Sequence, residues 1–197
     1  AGNTKQAEIA NRVGILATAL PRYLSTLERL EYIQKIVPVT ESKRSKKTIY
    51  KIKDNFMNFW FKFIYSNKSY IEENNYKKIR EILGVNFEKH VSFAFESICS
   101  DFLNMQNGKN LLPLNYMKIG MWYGFYRDAG QRKEIEIDLV ALDEKERGIL
   151  FVECKWMNLR QKEAEQVLSD LQEKSTYVDW NIGKRKESFA IFAKKIE

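Results

Sequence analysis

The residues most able to do chemistry are three charged side chains inside apolar stretches of the sequence. Asp138 lies in Ile-Asp-Leu-Val, and Glu153 and Lys155 lie in Ile-Leu-Phe-Val-Glu-Cys-Lys-Trp. Strand alternation puts Glu153 and Lys155 on one face, and Asp138 can lie beside them if the two stretches form a hairpin. Burying two carboxylates and an ammonium costs several kcal/mol unless they pair or bind a cation. This pattern therefore favours a functional site.

The acid-x-lysine spacing is a weak signal of function by itself, and its position in the sequence decides whether it is informative. The chain has 26 acidic residues and 23 lysines among 197 positions, which predicts roughly three such matches by chance. Only one of the three observed matches lies in an apolar strand with an acid in the preceding strand, whereas the other two lie in loops. The three are Glu41-Ser-Lys43, Asp143-Glu-Lys145 and Glu153-Cys-Lys155.

The segments around these residues predict a mixed α+β or α/β unit with the order α-β-β-β-α-β. Glu96 lies on the first helix, at the edge of its apolar stripe. It either points over the sheet toward Asp138 or lies on the helix surface. The expected helices span residues 87–105 and 160–177, and the expected strands span residues 116–126, 134–142, 149–156 and 189–193.

This constellation resembles the PD-(D/E)xK nuclease superfamily, which has the restriction-endonuclease-like fold. The resemblance implies that Asp138 and Glu153 bind Mg²⁺ or Mn²⁺ together with the carbonyl of Cys154. It implies that Lys155 assists the attacking water and that Glu96 is an outer metal ligand. Hard oxygen ligands of this kind suit Mg²⁺.

The sequence departs from the superfamily pattern at one position and leaves another role open. Ile137 stands where the name motif has proline. Some members carry a glutamine on the helix after the ExK strand. Gln166 is the first candidate for that role here, and Lys174 is the second.

The first third of the chain carries the positive charge and has a different pattern. Residues 1–70 have a net charge of +8, whereas residues 71–197 have −1. Helices over 3–13 and 19–32, followed by strands over 34–39 and 48–53, are typical of a winged helix. Such a unit either contacts DNA phosphates or serves protein contacts. The candidate nucleic-acid-binding residues are Arg22 and Arg29 on the second helix and Lys43, Arg44, Lys46 and Lys47 at the hairpin tip.

An aromatic helix is expected to follow the hairpin. Residues 54–65 carry one apolar stripe, with Asp54 as a candidate N-cap, and core packing is favoured over base stacking. A helix over 71–83 is expected to end at Gly84. The predicted organisation is a winged helix with the aromatic helix over 1–66, a helical linker over 67–86 and a nuclease-like domain over 87–197.

Several classes of protein are excluded by what the sequence lacks. No apolar run is long enough to cross a membrane, and no stretch resembles a signal peptide. Two cysteines and one histidine argue against a disulfide scaffold and a zinc site, so a cytoplasmic location is expected. The chain has neither a GxxxxGK[ST] nor a GxGxxG phosphate loop.

The chain as a whole resembles the C-terminal part of the archaeal-type ATPase family. The resemblance implies a P-loop ATPase domain upstream, with this chain as the segment that follows it. The expected function is a DNA-binding, Mg²⁺-dependent nuclease module. The alternatives are an inactive binding or regulatory module of that ATPase and an interaction platform for homo-oligomers. The resemblance rests on Gly-Asn-Thr and Glu-Ile-Ala near the start, Ser45-Lys46-Lys47, Tyr50-Lys51-Ile52-Lys53-Asp54, Phe59-Trp60-Phe61 and Val152-Glu153-Cys154-Lys155-Trp156.

Overall fold

The computed structural model describes residues 4–42, 44–128 and 130–197. These residues form two compact units. The first contains residues 4–37 and Arg44–His90, and the second contains residues 38–42 and Val91–Glu197. No helix within the described residues is long and apolar enough to cross a membrane. The chain is a mixed α+β protein.

The first unit begins with two helices and a short hairpin. A small core holds the helices together, with Ala10, Leu20 and Leu24 buried. The two strands are antiparallel, and Ile36 is opposite Ile49 at the loop end. Both are shorter than predicted, because the chain leaves the ladder after Ile36. The elements are α1 (Gln6–Val13), α2 (Leu20–Arg29), β1 (Ile33–Ile36) and β2 (Ile49–Ile52).

The aromatic segment after the hairpin is helical, in short α-helical, π-helical and 3-10 stretches. Asp54 caps it as predicted, because its Oδ1 accepts a hydrogen bond from the Met57 backbone N–H at 2.7 Å. Phe63 is buried, and its ring lies 5.1 Å from that of Phe59. These two rings pack as expected of a core role, but Phe56 and Trp60 of the same stripe are exposed. The elements are α3 (Asn55–Phe59), a π-helical turn (Trp60–Ile64), a 3-10 turn (Tyr65–Asn67) and α4 (Lys68–Glu72).

The expected helix end at Gly84 is wrong. One helix, α5 (Tyr76–Gln106), runs through this position for 31 residues and replaces the two predicted helices. A glycine inside a helix costs only about 1 kcal/mol, so a single glycine does not by itself end a helix. The predicted helical linker over 67–86 therefore continues directly into the helix that carries Glu96.

The second unit is built on a four-stranded sheet with the order β3-β4-β5-β6. The β3–β4 and β4–β5 pairs are antiparallel, and the β5–β6 pair is parallel. This is the predicted order of one helix, three strands, one helix and one strand. The elements after α5 are β3 (Lys118–Asp128), β4 (Gln131–Asp143), β5 (Gly148–Leu159), α6 (Gln161–Ser175) and β6 (Lys186–Ile196).

A helix covers each face of this sheet. Cys99 and Leu103 on α5 pack with Leu139 on one face. Leu171 on α6 packs with Ile137 on the other face. Strict alternation would put Ile137 and Leu139 on the same face. They lie on opposite faces because the β3–β4 register shifts between the Gly120 and Trp122 pairs, which leaves one extra residue in β4.

Candidate functional site

Asp138 lies at the irregularity in β4, where β4 and β5 part. The ladder between the two strands ends at the pair Leu139–Val152. Beyond it, the Cys154 backbone N–H donates to Asp138 Oδ2 at 2.7 Å. A side-chain carboxylate therefore takes the place that a strand carbonyl would have occupied. This bond fixes one oxygen of Asp138 and leaves Oδ1 without a hydrogen bond to the described residues.

Glu153 is the buried centre of the site, with only 5% of its surface exposed. The Lys155 Nζ donates to its Oε1 at 2.7 Å. The Lys174 Nζ lies 3.1 Å from each of the two carboxylate oxygens. Lys155 comes from the same strand, and Lys174 comes from α6. Glu153 is thus held by two ammonium groups from different elements.

The docking of α6 explains how Lys174 reaches the site. Leu171 is completely buried against the sheet. Lys174 follows it by three residues and therefore lies on the same side of the helix. Gln166, the other candidate on this helix, instead donates to the exposed Asp170 at 2.7 Å. The spacing from the buried leucine is the sequence signal that could have ranked Lys174 first.

Asp138 and Glu153 repel each other, and the positive charges near them do not fully compensate both carboxylates. Burial, followed by repulsion from Glu153, raises the pKa of Asp138 to about 6. The Cys154 N–H and the two lysines oppose this rise but do not cancel it. Burial by itself would lower the pKa of Lys155, but its hydrogen bond to Glu153 and the nearby negative charges outweigh burial and raise it. Lys155 is therefore a cation at neutral pH.

Two carboxylates in mutual repulsion suit a divalent cation. Mg²⁺ is commonly held by one or two carboxylates, with waters and substrate phosphates completing its shell. Asp138 and Glu153 would supply those carboxylates, with the carbonyl of Cys154 as the third oxygen that the resemblance implies. Across residues 4–42, 44–128 and 130–197, no group of three or more His, Cys, Asp or Glu side chains is arranged to hold a metal.

Glu96 lies on α5, which covers the face of the sheet opposite to the one that α6 and its Lys174 cover. The pKa of the buried Cys154 thiol is raised, first by its hydrogen bond with Cys99 and by burial, and further by the charges of Asp138 and Glu96. Glu96 and Asp138 therefore lie near the same thiol. The role of Glu96 as an outer metal ligand stays a prediction.

A cleft of about 390 Å³ opens beside Lys174 on the α6 side of the sheet. The rings of Tyr126 and Tyr177 lie 4.9 Å apart in its wall. Among the lining residues that the structure describes, Lys174 is the single cation and the other charged side chains are acidic. The surface of this cleft therefore does not attract polyanions. The charged lining residues are Glu134, Glu136, Asp170, Glu173 and Lys174.

The candidate nucleic-acid-binding residues of the first unit are solvent-exposed where the structure describes them. Arg22 and Arg29 are exposed on α2. The loop between β1 and β2, however, is divided between the two units. Its first part, residues 38–42, belongs to the second unit, where the Val39 N–H donates to the Met121 carbonyl at 3.0 Å. Arg44, Lys46 and Lys47 are exposed in the other part, and Lys43 lies outside the described residues.

Comparisons with known proteins place the chain in a family. Residues 60–167 match the family DUF234, described as archaeal and bacterial proteins of unknown function, and the chain belongs to it. The chain is similar to an uncharacterized protein of Methanocaldococcus jannaschii, with 38% identity over 196 residues. The match covers 100% of this chain and 42% of that protein, so the chain spans about two fifths of its relative. No solved structure matches the chain.

The raised pKa of Asp138 predicts a pH-dependent cost to stability. The folded state binds the Asp138 proton more tightly than the unfolded chain does. Stability is therefore lost as the pH rises from about 4 to about 6, and the loss is complete above that window. The cost at neutral pH is on the order of 3 kcal/mol.

Asp138→Asn should remove this cost while its side-chain oxygen still accepts from the Cys154 N–H. Urea denaturation at several pH values should show the variant close to wild type at pH about 4 and more stable by about 2–3 kcal/mol at pH about 7. Asp101→Asn, at an exposed helix position, is the matched control and should follow wild type throughout. A stability difference for Asp138→Asn that is the same at every pH would contradict this electrostatic assignment.

Proposed function

We propose that this chain is a nucleic-acid-binding, Mg²⁺-dependent nuclease module that hydrolyses phosphodiesters. The observation that carries the proposal is the meeting of Asp138, Glu153 and Lys155 at the point where β4 and β5 part. A sheet can bury Glu153 only by pairing it, and Lys155 provides that pairing at 2.7 Å. Such an arrangement is costly for stability and is explained most simply by a chemical role.

The roles of the residues follow from their protonation states and contacts. Asp138 and Glu153 would hold the cation. Bound Mg²⁺ supplies a Lewis acid, which polarises the phosphate and lowers the pKa of a bound water. Lys155 is protonated, so it acts as a hydrogen-bond donor that orients water or a phosphate oxygen and stabilises developing negative charge. Lys174 keeps the Glu153 carboxylate in position from α6.

The first unit would supply general affinity for nucleic acid, preferably DNA. Its order of two helices and a hairpin resembles a winged helix, and α2 would be the recognition helix. Arg22 and Arg29 on α2 and the cations of residues 43–47 would contact phosphates. Contacts of this kind give affinity and salt dependence without reading sequence. The acidic cleft beside Lys174 supports the view that affinity comes from the first unit.

A second candidate function has its own support. Lys174 contacts both oxygens of Glu153, and the four charges of Asp138, Glu153, Lys155 and Lys174 sum to zero without a metal. A site that is neutral by itself is also what a nuclease fold without activity would retain. In that case the chain would be a binding or regulatory module that contacts nucleic acid without cutting it.

The resemblance to archaeal-type ATPases extends the proposal beyond this chain. The Methanocaldococcus jannaschii relative continues well beyond the matched segment. We propose that the full-length protein is cytoplasmic and has a P-loop ATPase domain upstream of the present residues. ATP hydrolysis would then be supplied by that domain, and this chain would act on the nucleic acid.

Replacing Lys155 separates the two candidate functions. Lys155→Ala should abolish Mg²⁺- or Mn²⁺-dependent cleavage of a panel of single-stranded, duplex and branched substrates, because it removes the cation that stabilises negative charge. Binding should stay nearly unchanged, since the basic residues of the first unit supply it. Gel-based cleavage and fluorescence-anisotropy binding measure the two effects. Lys162→Ala, on the exposed side of α6, is the matched lysine control.

Cleavage by the wild-type protein that survives Lys155→Ala would contradict the assigned role of the lysine. Binding without cleavage by the wild-type protein, with either metal and with the ATPase-containing full-length chain, would reject the nuclease. It would leave the binding module as the function.

Replacing the exposed cations between β1 and β2 tests the nucleic-acid interface. The triple substitution Arg44→Ala, Lys46→Ala and Lys47→Ala should weaken binding to all sequences alike. It should reduce the slope of log affinity against log salt by about one for each phosphate that the variant no longer neutralises. A triple control in the second unit removes the same charge from exposed positions at Lys145, Lys162 and Lys184.

Anisotropy titrations at several salt concentrations give both slopes. An unchanged slope in the loop variant, or an equal reduction in the control, would assign the hairpin to protein contacts instead.

A further inference from the structure

The outer edge of β6 is open. β6 (Lys186–Ile196) is the last strand of the sheet and pairs only with β5. After Lys186, its outward backbone groups make no hydrogen bond to any residue that the structure describes. An unpaired edge of this length is a template for another strand, and folded proteins usually cover or block it.

An exposed apolar stripe lies beside this edge. Ile98, Phe102 and Met105 follow one another on α5 at spacings of four and three residues, and Ile98 and Met105 are 61% and 64% exposed. The Phe102 ring contacts that of Phe192 on β6, with the centroids 5.7 Å apart. The stripe therefore borders the open edge and continues its apolar surface.

The sequence of β6 is complementary to itself when two copies pair antiparallel about Ile191. Large side chains then lie opposite small ones, because Phe189 meets Ala193 and Ala190 meets Phe192. Glu187 meets Lys195, so each copy provides one partner of two ion pairs. A shift of the register by one residue would place Lys186 opposite Lys195 and Phe189 opposite Phe192, which loses the match of large with small side chains, although Glu187 would still face a lysine, Lys194. Cross-strand pairs of these kinds stabilise a sheet, and like charges destabilise it.

We propose that β6 pairs with β6 of a second copy of this chain and forms a homodimer with an eight-stranded sheet. Directly opposite residues share a face of the sheet, so the two-fold axis runs perpendicular to it at Ile191. Both α5 helices then lie on the same face, and the Ile98, Phe102 and Met105 stripes cover each other across the axis. The dimer buries the open edge and the exposed stripe together.

The charges on β6 explain why the edge accepts its own copy and not any strand. Lys194 and Lys195 discourage pairing with an uncharged strand, as lysines on edges generally do. Within one chain Glu187 pairs with Arg185 and Lys195 pairs with Glu197, and in the self-paired register Glu187 and Lys195 would in addition face the opposite charge on the second copy. The pairing also affects the candidate site, because Glu153 lies beside Ile191 in the β5–β6 register. Three strand spacings would separate the two Glu153 residues, which is about 14 Å.

Charge reversal tests this dimer. Analytical ultracentrifugation of the wild-type chain should give twice its 23.3 kDa mass. Glu187→Lys and Lys195→Glu should each raise the dissociation constant by about tenfold or more. The double variant should restore dimerisation, because the two ion pairs re-form with reversed sign. Reversing the exposed pair Lys118 and Glu144, which is on β3 and the β4–β5 turn, is the matched control and should have no effect.

Cysteine cross-linking fixes the register. Oxidation of a mixture of Glu187→Cys and Lys195→Cys chains should give a disulfide dimer, whereas each variant alone should not, because neither position lies opposite itself. Circular dichroism verifies that each variant is folded. A monomeric wild type, single reversals without effect, a double variant that stays weakened, or equal cross-linking by one variant alone would each overturn the proposal.

Discussion

The double ion pair of Glu153 is the interaction on which the rest of the site depends. A buried carboxylate in the middle of β5 would cost several kcal/mol without a partner. Lys155 reaches it from the same strand, and Lys174 reaches it from α6. The second pairing requires α6 to lie on this face of the sheet, which Leu171 ensures by its burial. The packing of α6 on the sheet and the compensation of the Glu153 charge therefore depend on each other.

Asp138 depends on a different feature, the extra residue in β4. The shifted register lets β4 and β5 part, and the freed Cys154 N–H binds the Asp138 carboxylate. Asp138 consequently lies beside Glu153 without an ammonium partner of its own, and burial, followed by repulsion from Glu153, raises its pKa. Two ammonium groups compensate the charge of Glu153, whereas the charge of Asp138 is poorly compensated. An imbalance of this kind lowers stability and is typical of sites that are kept for binding or catalysis.

The sequence predicted most of the second unit because its signals are strong there. Polar residues inside apolar strands identified Asp138, Glu153 and Lys155, and strand alternation put Glu153 and Lys155 on one face. Periodicity could not reveal the β4 register shift, since a bulge is set by pairing with β3. Periodicity also could not predict the hydrogen bond from the Val39 N–H to the Met121 carbonyl, because this bond is a tertiary contact. Gly84 failed as a helix end because a single glycine weakens a helix by only about 1 kcal/mol and does not by itself terminate it.

We propose that Asp138 and Glu153 together hold a divalent cation, and direct measurement of Mn²⁺ binding tests this proposal best. Electron paramagnetic resonance of free Mn²⁺ during a titration counts the bound ions without requiring any substrate or activity. We expect one ion per wild-type chain and a large loss of affinity in both Asp138→Asn and Glu153→Gln. Glu144→Gln, at an exposed turn, should bind like wild type. Absence of binding by the wild type, or equal binding by all four proteins, would contradict the claim.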